Sequence, residues 1–117
     1  MVLALVDDLM FGSKIRTAAK QLSVPVTFAR SREAALTELR NHRPSVVILD
    51  LNGTRMDPLG MMAEMKADAS LAGIRTIGFV SHVQTDLIEA AQRAGVDEVM
   101  ARSAFTTQLA EILVRAR

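Results

Sequence analysis

Two runs of this chain, "VLALV" (Val2 to Val6) and "VVILDL" (Val46 to Leu51), are apolar at almost every position instead of every second one. A strand with one wet face alternates between apolar and polar residues. A strand that is apolar throughout has both faces covered, as happens when helices pack on both sides of a parallel sheet. Three further β-branched runs, "VPVTFA" (Val24 to Ala29), "IRTIGFV" (Ile74 to Val80) and "EVMA" (Glu98 to Ala101), complete five expected strands. Between and after them lie "FGSKIRTAAKQL", "SREAALTELRNH", "DPLGMMAEMKAD", "QTDLIEAAQRAG" and "FTTQLAEILVRAR", all with helical spacing. Strict alternation with short connections predicts a doubly wound α/β fold.

The punctuation agrees with that division. Ser31 stands where an N-cap is wanted, Pro58 where a first helical turn tolerates proline, and Gly95 where a helix ends in a left-handed residue. Met62 and Met65 sit at helical spacing and read as core filling, and Leu109, Ile112 and Leu113 as the inward stripe of the last helix. No repeat, linker or low-complexity segment divides the 117 residues, so one domain, 1–117, is expected, able to bury roughly two-thirds of its unfolded surface.

Composition removes several function classes. The 14 basic and 13 acidic side chains are spread along the chain, and the only aromatic residues are four phenylalanines. That pattern offers neither a basic stripe for duplex phosphates nor stacking platforms for single strands, so no direct nucleic-acid contact is expected. No stretch approaches the ~18 uninterrupted apolar residues of a membrane span, so no membrane partner is expected. "MVLALVDD" lacks the basic region of a secretory signal, and the absence of cysteine excludes disulfides, which together make an intracellular address the default.

Ligands of open parallel sheets bind outside the carboxyl ends of the strands, near the switch in strand order. Here the first strand is expected to end in Asp7 and Asp8, the third in Asp50, the fourth in Ser81, and the fifth in Arg102 and Ser103. In a flavodoxin-like order, 2-1-3-4-5, the first and third strands are neighbours and three carboxylates converge on one edge. Their mutual repulsion raises their pKa values unless a cation neutralises them, and oxygen ligands alone suit a hard ion such as Mg2+. Beside such an ion Asp50 could attack phosphorus, while Ser81 and Arg102 contact the phosphoryl oxygens. Single acids at strand ends more often start loops and cap helices. It is the combination that carries the chemistry.

"LALVDD", "VVILDLN" and "AGVDEVMARSAF", in that order and spacing, resemble the receiver domain of bacterial two-component response regulators, over essentially the whole chain. The resemblance implies a (βα)5 fold of order 2-1-3-4-5, with Asp50 as phospho-acceptor. Mg2+ would be held by Asp8 and Asp50, by Asp7 through water, and by the backbone carbonyl of Asn52. It further implies Ser81 as the hydroxyl that moves toward the phosphoryl group. A sensor histidine kinase or phosphotransfer protein would be the donor, and an output protein or domain the target. The location would be cytoplasmic, and the only catalysis would be the domain's own phosphorylation and dephosphorylation. Receivers commonly dimerise or bind targets through the fourth helix, fifth strand and fifth helix, a face that here would display Asp86, Glu89, Arg93, Asp97 and Arg115.

The chain departs from the family's pattern at several places. The usual lysine on the fifth strand corresponds to Arg102, followed by Ser103 and Ala104 in place of proline, and the aromatic switch position falls on Val99. Arginine keeps the charge but is longer, planar and forked. His82, after the switch hydroxyl, reads as a solvated first-turn residue, since "SHVQ" fits a capping box with Ser81 as N-cap and Gln84 reaching back. These departures motivate an alternative, a degenerate receiver that binds partners without being phosphorylated. A flavin site is disfavoured because the acids of "VDDLM" replace the phosphate-binding loop, and no nucleophile elbow surrounds Ser81.

Overall fold

The computed structural model describes residues 1–81 and 84–117. The elements alternate as β1 (Val2–Leu5), α1 (Leu9–Gln21), β2 (Val26–Phe28), α2 (Arg32–His42), β3 (Val46–Asp50), a 3-10 turn (Thr54–Met56), α3 (Pro58–Ala67), β4 (Arg75–Val80), α4 (Thr85–Arg93), β5 (Glu98–Ala101) and α5 (Arg102–Arg115). The strands form one parallel sheet in the order β2-β1-β3-β4-β5, as the alternation and the receiver resemblance imply.

Pairing explains why the first and third runs are apolar throughout. β1 and β3 are interior strands, and every residue of both is buried. Leu3, Leu5, Val47 and Leu49 pack toward Leu36 and Leu39 of α2 and Met61, Met62 and Met65 of α3. Ala4, Ile48, Ile77 and Phe79 point the other way, toward Phe11 and Ile15 of α1 and Phe105, Leu109 and Ile112 of α5. The expected roles of Met62, Met65, Leu109, Ile112 and Leu113 are thus met, each being buried. Each fully buried side chain of this size contributes roughly 1.5–3 kcal/mol. Among the described residues no helix is long and apolar enough to cross a membrane.

The three predicted helix signals are in place. The Ser31 hydroxyl accepts from the N–H of Ala34 at 3.0 Å, and Pro58 is the first residue of α3. After α4, Gly95 takes φ +99°, its N–H donates to the Gln92 carbonyl, and the N–H of Val96 donates to the Ala91 carbonyl. This is the paired closure of a Schellman motif, which needs a left-handed residue at the position of Gly95.

Two boundaries differ from the sequence reading. Arg102 and Ser103 do not end a strand or begin a loop: α5 starts at Arg102, directly after β5, instead of at Phe105. No side chain caps that helix start, so the sequence carries no signal for it. The capping box at Ser81 is also overturned. Gln84 itself is the N-cap residue of α4, without a side-chain capping bond, and its amide is engaged elsewhere. His82, read as a first-turn residue, lies outside the described residues.

Because a left-handed conformation costs an L-residue about 1–2 kcal/mol, Gly95→Ala is expected to lower unfolding free energy by that amount without changing the fold. Urea unfolding followed by circular dichroism checks it, and an unchanged midpoint would contradict the role of the left-handed closure.

Candidate functional site

Where β3 leaves the core it carries Asp50, 4% exposed and paired in register with Phe79 of β4. Its Oδ1 accepts from the N–H of Asn52 at 3.1 Å. Among the described residues no hydrogen bond reaches its Oδ2. Burial pushes the Asp50 carboxyl above its ordinary pKa, and the charges of Asp8 and Asp7 push the same way. The Asn52 N–H and the Arg102 charge oppose them without prevailing. The three carboxylates named from the sequence therefore do share one edge.

β1 ends at Leu5, so Asp7 and Asp8 lie in the turn into α1 and not on the strand. Asp8 is the N-cap of α1, its Oδ1 accepting from the N–H of Phe11 at 3.1 Å. Its Oδ2 accepts from Nη2 of Arg102 at 3.2 Å. The Phe11 N–H has the largest effect on this carboxyl. Together with Arg102 and the Met10 N–H it outweighs burial and holds Asp8 below the usual carboxylate range. The expectation that such acids cap helices is met at Asp8, which at the same time holds Arg102 at this edge.

Asn52, expected only to offer its backbone carbonyl, does more. Its side-chain oxygen accepts from the N–H of Ser81 at 2.7 Å, and its side-chain nitrogen donates to Oε1 of Gln84 at 2.6 Å. It thereby ties the end of β3 to the end of β4 and the start of α4. Ser81 is exposed at that edge and lines one open groove with Asp8, Phe11, Lys14, Arg102 and Thr106. The rings of Phe11, Phe79 and Phe105 pack in a trio, with centroids 4.8 to 5.8 Å apart, under this groove. Nothing in the sequence pattern singled out these phenylalanines as anything but core.

Among the described residues no three carboxylates or histidines stand together as a ready metal cluster, since Asp8 is turned to Arg102 and to Phe11. The donor set nevertheless fits a hard divalent cation: Asp7, Asp8, Asp50 and the Asn52 carbonyl are all oxygen. Burial is the main reason that the Asp50 carboxyl pKa is raised, and the charges of Asp8 and Asp7 add to it. Gly53 keeps the two sides close, because a Cβ there would lie 3.2 Å from the Asp50 carbonyl oxygen and 3.4 Å from Asp7 Cβ.

No family model matches the sequence, and no curated protein matches it. Solved structures do. The phosphorylated cyanobacterial phytochrome response regulator RcpA is 26% identical with a TM-score of 0.79, covering 96% of this chain and 86% of that one. The chemotaxis protein CheY4 of Vibrio cholerae is 16% identical with a TM-score of 0.83, covering 99% and 97%. A response regulator, Rcp1, solved in its Mn2+-bound form, is 18% identical with a TM-score of 0.79, covering 95% and 89%. The fold and the edge-bound acids define a flavodoxin-like α/β domain with an acidic site at its topological switch point. More narrowly, the chain has the fold of response-regulator receiver domains of the CheY-like kind.

The raised pKa gives a pH dependence. Protonated Asp50 is favoured by the fold, so stability conferred by the native environment is present below the ordinary carboxylate pKa, about 3.9. It is lost as pH rises through the folded pKa. Asp50→Asn, which cannot ionise, is therefore expected to be the more stable form at neutral pH in chelator-treated buffer. The expected readout is a higher melting temperature for the variant than for the wild type at neutral pH. The advantage should vanish toward pH 3, and thermal melts across pH check it; a difference independent of pH would contradict the account.

Proposed function

We propose that this chain is a phospho-accepting signalling domain of a two-component system, with Asp50 as the acceptor. The observation that carries the reading is a buried carboxylate at the end of β3, one oxygen of which receives no hydrogen bond among the described residues, within the fields of Asp7, Asp8 and Arg102. Oδ2 of Asp50 forms a bond to phosphorus as the bond from phosphorus to the donor's imidazole nitrogen, or to the acyl oxygen of a small phosphodonor, breaks. The electron pair leaves with the donor atom. The Asn52 N–H holds Oδ1 and so fixes which oxygen is presented. Ser81 and Arg102 line the adjoining groove and supply a hydroxyl and a guanidinium for the phosphoryl oxygens.

A magnesium ion held by Asp50, Asp7, Asp8 and the Asn52 carbonyl would neutralise the carboxylates and the incoming phosphoryl charge. The phosphodonor in this reading is a sensor histidine kinase or phosphotransfer protein in the cytoplasm, and the output is altered binding of a protein partner. The α4, β5 and α5 face offers one docking surface, where Asp86, Glu89 and Arg93 are exposed. Asp97 and Arg115 are less available there. Asp97 accepts from the N–H and hydroxyl of Thr76, and Arg115 pairs with Glu111 at 2.7 Å.

A second reading, a phosphorylation-independent interaction module, is favoured by one observation: the guanidinium of Arg102 is docked on Asp8 instead of standing free. Intact-mass spectrometry after incubation with acetyl phosphate and magnesium separates the two. A phosphoryl adduct is expected in the wild type, absent in Asp50→Asn and lost on chelation. A folded wild type that takes no adduct would leave the interaction module as the function.

A further inference from the structure

Arg102 is held by three contacts and strained by one omission. Its Nη2 donates to Asp8 Oδ2 at 3.2 Å, and its Cζ lies 4.6 Å from the Phe11 ring centroid and 5.7 Å from that of Phe79. Its Nε is buried and finds no hydrogen-bond partner among the described residues. The ring contacts suit a planar, weakly hydrated guanidinium and would serve an ammonium poorly. The unpartnered Nε–H works against the same pose, because a buried donor without an acceptor is destabilising.

Both oxygens of Asp8 are taken, Oδ1 by the Phe11 N–H and Oδ2 by Arg102. A divalent cation reaching for Asp8 therefore meets a resident cation. Resting on the reading of this edge as a metal-assisted phospho-acceptor site, we propose that Arg102 is a built-in counter-cation that competes with the divalent metal for Asp8. Metal and guanidinium exclude each other on that carboxylate, so loading the metal frees Arg102 from Asp8. The freed side chain can then offer Nε and Nη to a phosphoryl group on Asp50. The orphaned Nε–H is the cost that makes the pose on Asp8 displaceable.

The test measures metal affinity, not phosphorylation. Free Mn2+ is followed by electron paramagnetic resonance during titration of the wild type, Arg102→Met, Arg102→Lys and Asp50→Asn, each first shown by circular dichroism to be folded. Arg102→Met keeps an apolar stem on the rings and removes the charge. It should bind Mn2+ about tenfold more tightly, the order expected for deleting one like charge within a few ångströms. Arg102→Lys retains the charge without the planar stack and should fall between the two, which keeps the test available if the methionine variant fails to fold. In the wild type, titration with Mg2+ should shift the Arg102 Nε–H resonance, identified by its absence in the variants.

Equal affinity in wild type and Arg102→Met, with binding lost in Asp50→Asn, would overturn the competition while leaving the acidic site a metal site. Absence of binding in every form at millimolar Mn2+ would overturn it together with the role of metal. The mass measurement on Asp50 would still decide independently whether that residue accepts a phosphoryl group.

Discussion

The site depends on the double pairing of β3. Held between β1 and β4, with every side chain from Val46 to Asp50 buried, β3 cannot slip by one residue without exchanging the side chains that fill its two packed faces and moving Asp50 from the strand's end. The last residue of such a strand is delivered to the sheet edge at a fixed height and orientation. That residue is an aspartate, so the packing that stabilises the fold also holds a carboxylate where water is scarce. The cost is local and visible in the raised pKa of Asp50.

Around that carboxylate the charges do not balance by number alone. Asp7 and Asp8 add negative charge, and Arg102 is the cation that reaches the cluster, but it spends its closest contact on Asp8. Asp8 is therefore held below the ordinary carboxylate range while Asp50 is driven above it. Two acids on one edge with opposite displacements have different work available to them. The first is a firmly charged anchor for a cation, and the second is a buried, poorly solvated carboxylate.

How much of this was legible in the chain follows from what each residue type signals by itself. Continuous apolar runs specify both-face burial and so a parallel sheet covered by helices, whereas the order 2-1-3-4-5, which brings Asp7, Asp8 and Asp50 to one edge, came from the resemblance to receiver domains. Ser31, Pro58 and Gly95 act through bonds with near neighbours in sequence, and all three were found where expected. The misreadings concern contacts across the fold. α5 starts at Arg102 without any capping side chain, Gln84 bonds to Asn52 instead of closing a capping box, and Arg102 lies against phenylalanines from α1 and β4. Sequence spacing carries no record of partners that distant. The one available hint was the replacement of a compact ammonium by a flat guanidinium, which asks for a flat neighbour.

Asn52 shows how the site is joined to the rest of the molecule. Its backbone N–H binds Asp50, and its side chain binds the N–H of Ser81 and the amide of Gln84, the residue from which α4 begins. A group added to Asp50 changes the charge and the acceptor geometry that this N–H sees. The same residue holds the end of β4 and the first turn of α4, so strain at the acceptor has a short, hydrogen-bonded route to them. Val99, half-buried on β5, packs against the core under α4 but has no ring to swing. On the role proposed for Asp50, the part best placed to carry its consequence is thus the Asn52 bridge, which reaches the start of α4 through Gln84.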